Sequence, residues 1–172
     1  MKHLAQSDLN HNLYSLLRGR FPDDPKAPWL VTPKGETCCY GDIDDTTARY
    51  AGALHTLGLR PGDRLLAQVN KSPEALLLYL ATLRLGAIFV PLNTAYTASE
   101  LAYFLKDATP RLFIARPDSA EGLKESAGAI GALLLTLGHD GEGTLMDAVK
   151  TAEPQSGIAE RGPDDIASII YT

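Results

Sequence analysis

Residues 64–91 leave this chain few folds to choose from. Residues 64–69 form a short apolar run that reads as a strand. Ser72 then stands where a helix wants a capping hydroxyl, and Pro73 takes the first helical position, where its missing N–H costs nothing. Residues 73–85 carry Leu76, Leu77, Leu78, Leu80, Leu83 and Leu85 on nearly every side, which predicts a buried helix. Gly86 ends it, and 87–91 is a second strand. Strand, buried helix and strand in so short a span make a βαβ unit, so the two strands are expected to be parallel and their crossover right-handed. Leu78 and Leu80 are both expected in the core, where an aspartate would prevent folding.

The flanking sequence extends this pattern. Residues 12–20 read as a short helix, 29–31 and 37–40 as a hairpin around Thr32-Pro33-Lys34-Gly35, and 42–57 as an amphipathic helix. Thr97-Ala98-Ser99-Glu100 is a capping box that opens a helix reaching about Ala108 and burying Leu101, Phe104 and Leu105. Strands at 111–115 and 132–136 alternate with helices at 120–129 and 145–152. The expected class is α/β, a mainly parallel sheet with flanking helices. Residues 138–144 and 153–164 are polar or glycine-rich and are expected to be the loosest parts.

Composition removes several function classes. A net charge of −5 and a pI near 5.3 argue against a nucleic-acid-binding face. The most apolar run, 75–92, is broken by Arg84 and Gly86 and is no membrane span, and residues 1–12 lack the apolar centre of a signal peptide. Cys38 and Cys39 are strand neighbours pointing to opposite faces, so they are expected as free, buried thiols in a cytoplasmic protein.

Two longer stretches carry a resemblance. They are Lys71-Ser72-Pro73-Glu74-Ala75-Leu76-Leu77-Leu78-Tyr79-Leu80-Ala81-Thr82-Leu83-Arg84-Leu85-Gly86-Ala87 and Val90-Pro91-Leu92-Asn93-Thr94-Ala95-Tyr96-Thr97. The segments 58–64 and 101–111 agree with them. Together they resemble the malonyl-CoA synthetase branch of the adenylate-forming acyl-CoA synthetases, and the likeness covers about residues 13–172. The ending Asp164-Asp165-Ile166-Ala167-Ser168-Ile169-Ile170-Tyr171-Thr172 is similar to the strand that leads into that family's Ser-Gly-Thr-Thr-Gly nucleotide loop.

The resemblance implies a fold, a reaction and an incomplete site. Residues 1–172 would be the N-terminal part of the large AMP-binding domain, with the remainder absent. The parent would be an acid–thiol ligase using ATP, Mg²⁺ and coenzyme A on a malonate-like carboxylate. Thr172 is the one residue carried over to nucleotide binding. No catalytic residue and no metal ligand are assigned, and the fragment itself is expected to be inactive, to hold no cofactor tightly and to self-associate through exposed sheet edges. Two other readings stay open: a self-contained α/β binding or scaffold module ending at Thr172, and a relative that loads a carrier-protein thiol or oxidises the adenylate.

Other residues have weaker claims. Lys71 stands at the mouth of the Ser72-capped helix, and Asn93 and Thr94 follow a strand end, where open α/β sheets place ligands. A solvated turn lysine is the better reading of Lys71, and local turn bonding explains Asn93 and Thr94 equally well. Asp42, Asp44 and Asp45 suit the first turn of a helix and its dipole. His3, His11, His55 and His139 show no metal-ligand spacing, and no Gly-x-x-x-x-Gly-Lys loop or Gly-x-Gly-x-x-Gly fingerprint occurs. Arg111 and Arg116 bracket a strand and are expected at the surface.

Overall fold

The computed structural model describes residues 10–171. The βαβ unit forms as expected: β3 (Arg64–Gln68), α3 (Pro73–Arg84) and β4 (Ile88–Pro91), with β3 and β4 parallel. β5 (Leu112–Ala115) pairs in parallel on the other side of β3, and β6 (Leu133–Thr136) pairs in parallel with β5. The sheet order is β4-β3-β5-β6. Chain order therefore reverses between β3 and β5, the kind of switch point at which a crevice opens beyond the strand ends.

Because the sheet is covered on both faces, its strands alternate between two cores rather than between core and water. Leu65 and Ala67 of β3 and Leu112 and Ile114 of β5 face one cluster, with Leu78 and Ala81 of α3. That cluster is completed by Tyr50, Ala51 and Leu54 of α2 (Tyr40–Thr56) and by Leu145 and Val149 of α6 (Thr144–Thr151). Leu66, Phe113 and Ala115 face the opposite cluster. There Leu101 and Leu105 of α4 (Ala98–Ala108) and Leu123 and Ala127 of α5 (Pro117–Ala129) pack. The capping box of α4 is complete, with Thr97 Oγ1 accepting from Glu100 N and Glu100 Oε2 accepting from Thr97 N.

A third, smaller cluster joins the N-terminal elements to the sheet domain. Tyr14 of α1 (Leu13–Arg18), Ile43 of α2 and Leu83 of α3 are its buried members. Asn12 caps α1 by accepting from Tyr14 N at 2.9 Å, and its amide nitrogen donates to Leu83 O at 2.8 Å. β1 (Pro28–Val31) and β2 (Thr37–Cys39) form the antiparallel hairpin.

Several expectations need correction. α3 is not buried all round: Leu78 is fully buried, but Leu80 is half-buried and Leu76 is 42% exposed. Its apolar surface exceeds what the sheet and its neighbours cover. Phe104 is likewise half-buried, within an aromatic group with Tyr96, Tyr103 and Tyr171. Cys38 and Cys39 are free thiols but only half-buried, because the two-stranded hairpin has no second layer over it. The ending, likened above to a strand, makes a single parallel bridge, Ser168 to Phe89, on the outer side of β4. Ile166 and Ile170 are 55% and 70% exposed there, since nothing among the described residues covers the far side.

The connector 153–164 has no helix or strand, yet it is a fastened strap. Gln155 N donates to Ala48 O at 2.8 Å, Ala159 N to Arg84 O at 2.9 Å, and His11 N to Arg161 O at 3.0 Å. Gly52 permits the close approach of this strap to α2, because a Cβ there would overlap the carbonyl oxygen of Glu153.

Candidate functional site

The C-terminal ends of β3 and β4 open into a cleft of about 860 Å³. Its floor is Val69, Pro91 and Leu92, and one wall is the first turns of α3, from Ser72 to Leu76 and on to Tyr79. The opposite wall is the β1–β2 hairpin, through Leu30, Val31 and Pro33. The hairpin is tied across the mouth by Lys34 Nζ, 2.9 Å from Asp140 Oδ1 in the loop after β6. Each partner favours the other's charged form, so Asp140 holds Lys34 above its ordinary value and Lys34 holds Asp140 below its own. Both side chains are about 70% exposed, which makes the tie weak in water.

Of the residues singled out from sequence, Lys71 lies in this cleft, exposed at its mouth. Ser72 beside it caps α3, with Oγ accepting from Ala75 N at 3.2 Å. Asn93 and Thr94 do not line the cleft. Asn93 turns back on itself, its Oδ1 accepting from Ala95 N at 2.9 Å. Gln68, almost fully buried, fixes the same loop by donating to Asn93 O and Tyr96 O at 2.9 and 3.2 Å. Thr172 lies outside the described residues.

The acidic trio at the start of α2 does not act as a group. Asp42 sits in the first turn as the dipole reading expects, but Asp44 is drawn inward by Arg84. Arg84, whose side chain is 2% exposed, lies over the ring of Tyr14 and donates to Asp44 Oδ1 and Asp44 O, both at 2.9 Å, and to Thr47 Oγ1 at 3.1 Å. It also donates to the carbonyl oxygens of Ser156 and Gly157 on the strap. Burial pushes the Tyr14 hydroxyl above its ordinary value. The one sequence signal for this centre was an arginine inside an apolar helix. Arg111 is exposed against Gly58, whereas Arg116 is half-buried: its Nε lies 3.4 Å from Asp118 Oδ1 without making a hydrogen bond.

Among the described residues no group of three or more His, Cys, Asp or Glu is placed to hold a metal ion. Nor does any hydrogen bond in the cleft join a hydroxyl or thiol nucleophile to a base. The cleft offers apolar walls and a charged rim, which can seat and orient a partner but do not by themselves make or break a bond. No helix among these residues is long and apolar enough to cross a membrane.

Comparison with known proteins accounts for the fold. MatB from Rhodopseudomonas palustris, solved apo and with ATP bound, matches this chain at TM-scores of 0.90 and 0.91. In both cases the identity is 42%, covering 95% of this chain and 32% of MatB. Feruloyl-CoA synthase from an Amycolatopsis species is 33% identical over 138 residues, 80% of this chain and 26% of the relative. Long-chain-fatty-acid–CoA ligase FadD13 from Mycobacterium tuberculosis is 28% identical over 165 residues, 94% of this chain and 32% of the relative. The chain therefore spans about a quarter to a third of the length of these three relatives. A family model described as AMP-binding enzyme matches residues 18–172. With that match running through nearly the whole sequence, the chain belongs to the AMP-binding enzyme family.

Proposed function

We propose that this chain is the N-terminal part of the large domain of an ATP-dependent carboxylate–CoA ligase acting on malonate or a similar short dicarboxylate in the cytoplasm. The observation that carries the reading is the run from Lys71 to Thr97. It resembles the malonyl-CoA synthetase branch, and it builds β4, α3 and the cleft-facing loop between β3 and α3. The 42% identity with MatB across 95% of the chain supports the same branch.

The proposed reaction has two steps. A carboxylate oxygen attacks the α-phosphorus of ATP, forming an acyl-adenylate and releasing pyrophosphate. The thiol of coenzyme A then attacks the acyl carbon, forming the thioester and releasing AMP, with the thiol proton passing to solvent or base. The first step brings anions together, so it needs cations and a loop of backbone amides about the phosphates. That loop would begin at Thr172. Mg²⁺ would supply charge neutralisation, and the described residues contain no ligand set that fits it. What this chain supplies is scaffold: the parallel sheet aims the ends of β3, β4 and β5 at one crevice, and Gln68 holds the Asn93–Tyr96 loop at its edge. The 172-residue chain alone is then inactive in adenylation and self-associates through its exposed edges.

The coding sequence downstream of Thr172 tests the domain assignment. Continuation into Ser-Gly-Thr-Thr-Gly and a further two-thirds of a ligase supports it. A stop codon directly after Thr172 leaves a self-contained module and sinks the ligase reading.

A further inference from the structure

Residues 167–171 hang on the sheet by very little. Phe89 N donates to Ala167 O and Ile169 N to Phe89 O, both at 3.1 Å, and Ser168 Oγ donates to Phe89 O at 2.7 Å. Beyond Ile169 no further backbone hydrogen bond is made among the described residues, and Ile170 is 70% exposed. Tyr171 is held by its side chain instead. Its ring centroid lies 4.5 Å from that of Phe104, and its hydroxyl donates to Asp107 Oδ2 at 2.6 Å. Phe104 and Asp107 stand three residues apart on α4 and so share one face of it. Phe104 in turn packs on Tyr96, whose carbonyl oxygen accepts from Gln68 at the end of β3. Asp107 is otherwise misplaced. It lies in the last turn of α4, at the negative end of the helix dipole, where an acidic side chain is unfavourable. Among the described residues no lysine, arginine or histidine pairs with it, and its carboxylate has Tyr171 as its one hydrogen-bond partner. A charged acceptor makes that bond stronger than one between neutral groups.

We propose that Asp107 is a positioning residue for ATP: through Tyr171 it fixes the backbone at the point where the phosphate-binding loop begins. This rests on the function proposed above, in that such a loop follows Tyr171. A loop of backbone amides stabilises phosphate only while its N–H groups stay aimed, and a misplacement of about 1 Å can cost about a hundredfold in rate. The bonds to β4 alone would leave Ile170 and Tyr171 unfastened between the last anchor and the loop. The bond to Asp107 removes that freedom, with Phe104 supporting the ring. Asp107 acts only through Tyr171, so it is no catalytic residue. Its effect belongs to the adenylate step, where the phosphates are held, and the KM for coenzyme A serves as the control.

Two measurements on the full-length parent test this. Amide hydrogen exchange of the ligand-free parent reports on the segment itself. Asp107→Ala and Tyr171→Phe should each speed exchange in the peptide that starts near Ile169, with the melting temperature within about 2 °C of wild type. Isotope exchange between pyrophosphate and ATP reports on the site, with malonate or, if malonate is not a substrate, the acid the parent prefers. There kcat/KM for ATP should fall about tenfold in each variant, the size of one hydrogen bond to a charged group. Asp107→Ala combined with Tyr171→Phe should fall no further than either alone. Asp107→Asn, which keeps an acceptor oxygen, should recover most of the loss. The KM for coenzyme A in the complete reaction should not change. The proposal is overturned if both single variants keep wild-type hydrogen exchange and kcat/KM, or if their losses multiply in the double variant. It is equally overturned if kcat/KM falls only together with the melting temperature. A wild-type parent that exchanges no pyrophosphate with any acid refutes the ligase reading instead, and hydrogen exchange alone then decides whether Asp107 fastens the segment.

Discussion

Among the described residues, Arg84 joins more of this protein than any other single side chain. It ties α3 to α2 through Asp44 and Thr47, to α1 through Tyr14, and to the strap through Ser156 and Gly157. A buried guanidinium is tolerable only with such a set of acceptors, and removing one side of a buried pair leaves the other uncompensated. Asp44 is a third exposed, which moderates the loss, so Arg84→Met should destabilise by about 3 kcal/mol in denaturant unfolding. Arg84→Lys should recover little, because one ammonium cannot reach the acceptors that the planar fork spans. A Lys variant as stable as the parent sequence would show that charge alone matters there.

The capping box makes a second prediction at this scale. The Thr97 amide and then its hydroxyl hold the Glu100 carboxyl below its ordinary value of 4.5. A carboxyl depressed in the folded state contributes stability above its unfolded value and loses that contribution as pH falls through the folded one. Melting followed from about pH 6 to about pH 3 should therefore fall less steeply in Glu100→Gln than in the wild type. Separately, Thr97→Ala should cost about 1 kcal/mol at neutral pH, the usual worth of an N-cap.

At the scale of elements, α3 shows what a pattern of leucines can and cannot say. The run of apolar residues located the helix, its Ser72 cap and its parallel flanking strands, because these are local or nearly local consequences of sequence. It could not say which leucines are covered, since that depends on elements far away in the chain. Leu78 meets the sheet and α2, while Leu80 meets only the small N-terminal cluster. Leu78→Asp should abolish the cooperative melt, since several kcal/mol is lost from a domain's typical ~5–15. Leu80→Asp should leave a folded but less stable protein by circular dichroism. The strap was equally hidden. Residues 153–164 look like loose linker because they contain no periodicity, and their anchors, Arg84, Ala48 and Gly52, lie about 70 or more positions upstream. Gly52→Ala should displace the strap, seen as faster proteolysis between 153 and 164 with α2 intact.

At the scale of the whole molecule, the sheet is a finished fold with unfinished surfaces. β6 forms one edge, with Leu133 44% exposed, and the 167–169 segment adds only a single bridge at the other. Beside that bridge, burial first and then the hydrogen bond to Asp107 push the Tyr171 hydroxyl up to about 12. The candidate site was legible in part for the same reason. The sequence identified Lys71 and the strand ends, which are set by the βαβ unit. The hairpin was legible too, but its place as a wall of the cleft and the Lys34–Asp140 tie, formed between residues 106 positions apart, left no mark in it. Under the proposed function the parent joins malonate to coenzyme A through an adenylate, and one assay bears on that directly. Purified full-length parent would be incubated with ATP, Mg²⁺ and coenzyme A together with malonate, and in parallel with acetate, ferulate or palmitate. Malonyl-CoA and stoichiometric AMP formed with malonate, at rates well above the other acids, are the predicted result; a parent that forms AMP and thioester from the monocarboxylates but not from malonate would contradict it.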